Sequence, residues 1–82
     1  MRGIRNKIRS VPRVVVCVDN TGNEASLELH KLYAVVPDPD AAADGDLRIV
    51  DESGEDYLYS SPCFVTVEVP RAVERAMLKK AS

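Results

Sequence analysis

Residues 47–67 constrain the fold more than any other stretch. They read Leu-Arg-Ile-Val-Asp, Glu-Ser-Gly-Glu, Asp-Tyr-Leu-Tyr-Ser-Ser-Pro-Cys-Phe-Val-Thr-Val, which is strand, tight turn, strand, short break, strand. Gly54, between two β-prone runs, can take the positive φ that a short hairpin turn needs. A hairpin is expected here, with the remaining segments arranged around it.

Those segments are short. A chain of 82 residues has material for one domain and one modest core, because a chain of this size buries only about 60% of its unfolded surface. Residues 13–19 carry four valines among seven positions and predict a first strand buried on both faces. Asn20, Thr21, Gly22 and Asn23 supply turn chemistry, and the alternation over residues 24–30 predicts a long, partly extended loop that folds back. Residues 31–37 read as the second strand, which Pro37 and Pro39 terminate by removing backbone donors. Residues 38–46 read as an acidic loop with one helical turn over three alanines. After the hairpin and the break at Ser60-Ser61-Pro62, residues 64–69 alternate, with Val65, Val67 and Val69 expected inside and Thr66 and Glu68 outside. Residues 70–82 predict a short helix with Pro70 in its first turn and Lys79 and Lys80 near the negative end of its dipole. Val69, Val73, Ala76 and Met77 are expected to cap an open end of the sheet. The expected organisation is a basic tail (1–12), a β domain (13–69) and a C-terminal helix (70–82).

Charge is unevenly distributed. Residues 1–13 hold Arg2, Arg5, Lys7, Arg9 and Arg13 and no acid; residues 14–70 balance to −10 and residues 71–82 to +3, giving the net −2. An acidic body disfavours phosphate, so any nucleic-acid contact is expected from the termini, through Arg2, Arg5, Lys7, Arg9 and Arg13. Met1, Ile4, Ile8 and Val11 have helical spacing within the basic tail but form no continuous apolar run, and the longest such run in the chain is residues 14–18. Neither a signal peptide nor a membrane span is predicted, and a cytoplasmic location is expected.

Chemistry-bearing clusters are sparse. Cys17 and Cys63 with His30 fall short of a zinc site and are expected as two small hydrophobes and a loop histidine. Counting an EF-hand loop from Asp38 puts Ala42 at position 5 and Ile49 at position 12, so the acidic loop is not a calcium loop. Asp51, Glu52, Glu55 and Asp56 flank the hairpin turn and are expected to be exposed, ordinary carboxylates. Ser60, Ser61 and His30 lack a third partner. No catalysis and no cofactor are expected.

The segment Leu27-Glu28-Leu29-His30-Lys31-Leu32-Tyr33-Ala34-Val35-Val36 resembles the end of the first long loop and the second strand of Src-homology-3-type barrels. Gly54-Glu55-Asp56-Tyr57-Leu58-Tyr59-Ser60-Ser61-Pro62 is similar to their Gly-x-x-Gly-Leu-Phe-Pro-Ser-Asn-Tyr-Val ending. Over residues 14–69 the resemblance implies an all-β fold: a small five-stranded Src-homology-3-like barrel, with the basic tail and short helix appended. It also implies a binding module without catalytic activity. The position of the ligand-contacting proline holds Ser60, the aromatic dipeptide before the hairpin corresponds to Asp46-Leu47 or Leu47-Arg48, and the chain has no Trp. The pattern Cys-Val-Asp-Asn-Thr-Gly…Asp-Glu-Ser-Gly-Glu-Asp-Tyr-Leu-Tyr is also similar to a group of short uncharacterised bacterial proteins, which implies no function.

The expected partner is a protein or peptide, basic or proline-containing, held by Tyr33, Tyr57, Tyr59, Phe64 and Glu28. Tyr57 and Tyr59 share a strand face by two-residue periodicity, with the acids of residues 38–46 expected beside them. Nucleic acid bound by the termini is the second reading. A monomer or weak homodimer is expected.

Overall fold

The computed structural model describes residues 13–81; the basic tail, residues 1–12, lies outside them, as do Arg2, Arg5, Lys7 and Arg9. Five antiparallel strands form one sheet: β1 (Val14–Cys17), β2 (Leu32–Val36), β3 (Asp46–Val50), β4 (Asp56–Ser60) and β5 (Phe64–Thr66), in the spatial order β4-β3-β2-β1-β5. Helix α1 (Pro39–Ala43) joins β2 to β3, a single 3-10 turn (Ser61–Cys63) joins β4 to β5, and α2 (Arg71–Ala81) follows. The sheet is not closed, so β4 and β5 are its two edges. No helix among the described residues is long and apolar enough to cross a membrane.

The hairpin forms as expected from its turn. Gly54 sits at φ 84°, a left-handed conformation glycine adopts without steric cost. Its N–H donates to the Asp51 carbonyl (3.0 Å), while the Asp51 N–H donates to the Glu55 carbonyl (3.1 Å). The register that follows is Ile49 opposite Tyr57 and Leu47 opposite Tyr59. α1 starts where Asp38 caps it, its carboxylate accepting from the Ala41 N–H (3.1 Å) with Pro39 already at a helical φ.

One face of the sheet carries the core: Val15, Cys17, Leu27, Tyr33, Val35, Ile49 and Phe64, with Leu47, Tyr59 and Cys63 packed against it. Leu27 comes from the connection between β1 and β2, and here the structure departs from the extended loop expected. Residues 24–30 form successive turns, because short polar side chains bond locally and compete with extended pairing. The Thr21 N–H donates to the Asp19 carboxylate (2.9 Å) and the Asn20 amide to the Leu27 carbonyl (3.0 Å), folding Leu27 inward. His30 is exposed in this loop at φ 67°.

Two further expectations are corrected. β5 stops at Thr66, and the pairing of Cys17 with Phe64 turns Phe64 inward, so Val65 lies on the outer face beside Val16 and is exposed. Nor does α2 cap an end of the sheet. It lies against β2, where Met77 shares a shallow cavity of about 340 Å³ with Leu32, Ala34 and Val50. These three alternate with core residues, so they mark the face opposite the core.

Candidate functional site

The β3–β4 hairpin and the loop that folds over it are joined by two tyrosine networks. Tyr59 packs edge-on against Phe64, ring centroids 6.1 Å apart. Its hydroxyl donates to Asp51 Oδ2 (2.6 Å) and lies 3.0 Å from Ser26 Oγ. Asp51 Oδ1 accepts the Ser53 N–H (2.9 Å) and hydroxyl (2.5 Å), so both its oxygens are engaged. In the second network Tyr33 donates to Glu52 Oε2 and accepts the Glu28 N–H (2.7 Å). Lys31 pairs with Glu52 (2.7 Å) and lies 5.7 Å from the centroid of the Tyr33 ring. A backbone bond from the Glu52 N–H to the Ser26 carbonyl (3.0 Å) ties loop and turn together directly.

Asp51, expected at the surface, is only 7% exposed. Burial pushes its pKa up, but hydrogen bonds from Ser53 and Tyr59 outweigh that and hold it below the usual carboxylate range. Hydrogen bonds from Lys31 and then Tyr33 lower Glu52 likewise. Burial, reinforced by the neighbouring carboxylates, raises both Tyr33 and Tyr59.

The sign of each shift fixes a pH profile. Stability contributed by Asp51 and Glu52 is present above the unfolded carboxylate pKa of about 4 and is lost as pH falls through the lower folded values. That from Tyr33 and Tyr59 is present below about pH 10 and is lost as pH rises through the higher folded values. Thermal melts are expected to show a plateau between about pH 5 and 9 with a decline on both sides, the acid limb becoming shallower in Glu52→Gln. A melting temperature that rises below pH 4 would contradict these assignments.

The expected binding residues are distributed unequally. Tyr33 (4% exposed) and Phe64 (7%) belong to the core and present little surface. Tyr59 shares a strand face with Tyr57, as periodicity predicts, but is partly buried with its hydroxyl occupied. Tyr57 is 48% exposed, its hydroxyl donating to Glu55 (3.0 Å), and Glu28 is exposed. The acids of residues 38–46 are not gathered beside these tyrosines. Asp38 bonds Arg48 (2.8 Å), which also holds Asp56 (3.1 Å), and Arg48 lies on the face opposite Leu47 and Ile49. Arg13 is exposed at the start of β1 and lines a cleft with α2.

The outer edge of β4 follows from the hydrogen-bond ladder and not from any single residue. Backbone bonds at both ends of the ladder, from the Asp51 N–H to Glu55 and from the Ser61 N–H to Gly45, set its alternation. Tyr57 and Tyr59 therefore direct their backbone groups to β3, while Asp56, Leu58 and Ser60 direct theirs outward. No strand among the described residues pairs with that outer edge. Leu58 is 49% exposed and Tyr57 48%, so β4 offers a half-exposed side chain on each face, with backbone groups between them that no strand among the described residues engages. Among the described residues no group of three or more His, Cys, Asp or Glu is placed to hold a metal ion.

Compared with known proteins, the chain matches no family model, and no curated protein or solved structure is significantly similar to it.

Proposed function

We propose that this chain is a non-enzymatic binding module of Src-homology-3-like type that takes an extended, basic peptide as an added strand along β4. The observation that carries the reading is the outer edge of β4, with which no strand among the described residues pairs, and Tyr57 and Leu58 half exposed on either side. Strand addition gives affinity through main-chain hydrogen bonds and specificity through alternate side chains. Exposed Glu55 and Asp56 stand at the turn end of β4, within a segment whose balance is −10, so cationic side chains on the peptide are favoured. The folded loop between β1 and β2 and the 3-10 turn before β5 support the Src-homology-3-like assignment. The absence of catalysis is supported by Asp51, whose oxygens are occupied structurally, and by the lowered pKa of Glu52, the opposite of what a carboxylate acting as a general acid near neutral pH needs.

The test uses a fluorescent peptide of alternating lysine and valine. Tyr57→Ala is expected to weaken its binding roughly tenfold, by loss of an aromatic anchor. Leu58→Pro is expected to abolish it while leaving the fold intact, because the lost N–H faces outward from an edge strand. Unchanged affinity in a folded Leu58→Pro variant would rule out strand addition. Association with nucleic acid through the termini would leave β4 free, so the same two substitutions separate the readings.

A further inference from the structure

Arg13 and the basic helix α2 meet in space. β5 returns beside β1, and the Val67 N–H donates to the Val14 carbonyl (3.1 Å), which brings the chain leading into α2 next to Arg13. Arg13 then lines a cleft of about 630 Å³ with Arg71, Glu74, Arg75, Leu78 and Lys79. Spacing by four places Arg71, Arg75 and Lys79 along one face of α2, each about 6 Å further along the axis. Met77 projects from the other side of the helix, toward β2. Four cations thus stand against one carboxylate in a molecule whose residues 14–70 balance to −10. Arg13, Arg71 and Arg75 form no ion pair among the described residues. Residues 1–12, attached at Arg13, add four more cations and no acid.

We propose that this cleft binds the phosphate backbone of nucleic acid. Arginine predominates, and its planar fork matches phosphate oxygens in pairs. A concave, charged surface fits a strand. A bilayer, by contrast, requires an apolar helix face turned to the lipid, and here Met77 of α2 is turned to β2. The site shares no residue with β4, so its outcome is independent of peptide binding there.

The experiment measures binding of a labelled single-stranded oligothymidylate, and a duplex in parallel, to the full chain between about 50 and 200 mM salt. Affinity is expected to fall steeply with salt. For the single strand, Arg71→Gln with Arg75→Gln should reduce the slope of log affinity against log salt by about 0.7 per arginine removed. Both residues are exposed and glutamine retains helix propensity, so the fold is kept. Glu74→Gln should bind more tightly. Arg48→Gln, which removes a cation outside the cleft, should leave the slope unchanged. The proposal is overturned by no binding at the lowest salt, or by an Arg48→Gln effect equal to that of Arg75→Gln. Binding to phosphatidylserine vesicles but not to either oligonucleotide, or salt-sensitive dimerisation in place of binding, overturns it as well.

Discussion

Ile49→Ala is expected to lower the unfolding free energy by about 2–5 kcal/mol, the range for truncating a large aliphatic side chain in a packed interior. Ile49 is fully buried in β3, in a row running from Tyr57 through Ile49 to Val35. It joins the half of the sheet that carries β4 to the half that carries β1 and β5, in a single small core. A domain of this size is stable by roughly 5–10 kcal/mol in total, so the change removes a large share of the margin. Urea denaturation should show a lower midpoint with an unchanged slope. A loss below about 1 kcal/mol would mean that the core closes around the cavity and that Ile49 is not its centre.

Asp51→Ala is the second large effect, expected at about 3 kcal/mol. The substitution deletes an acceptor of three donors, two from Ser53 and one from Tyr59; a hydrogen bond to a charged group contributes about 1.5–3 kcal/mol net of its exchange with water, and the donors of exposed Ser53 regain water when the carboxylate is gone. It also leaves the partly buried Tyr59 hydroxyl with Ser26 alone. Tyr59→Phe removes only the bond from the ring side and should cost less. The double substitution should cost less than the sum of the two singles, because both act on one network. Strict additivity would show that the Tyr59 to Asp51 bond contributes nothing in solution.

These two residues also mark where the sequence is and is not informative. Ile49 is legible: it lies in an alternating β-prone run ahead of a Gly turn, and the hairpin forms over Asp46–Ser60 with Tyr57 and Tyr59 on one face. Asp51 is not, because a carboxylate beside a turn reads as solvated unless one knows that Ser26, far away in the chain, folds over it. The same long-range closure buries Tyr59 and leaves Tyr57 outside, a difference that two-residue periodicity cannot express. Leu27 enters the core through turns whose side-chain hydrogen bonds override the alternation of residues 24–30. A one-residue shift in the sequence pattern would exchange Cys63 and Phe64 between core and surface, and only pairing with Cys17 fixes Phe64 inward. The meeting of Arg13 with α2 likewise depends on β5 returning to β1, a contact that no local pattern announces.

The most direct test of the binding-module account is a heteronuclear NMR titration of the labelled protein with the alternating lysine–valine peptide. The account predicts that the largest amide shifts fall at Asp56, Leu58 and Ser60, whose N–H groups face outward. Smaller shifts are expected at Tyr57 and Tyr59, whose amides already pair with β3. Slower hydrogen exchange at Leu58 should accompany binding. Shifts confined to Arg13 and residues 71–81, with β4 silent at saturating peptide, would contradict the account and leave the sheet as a scaffold.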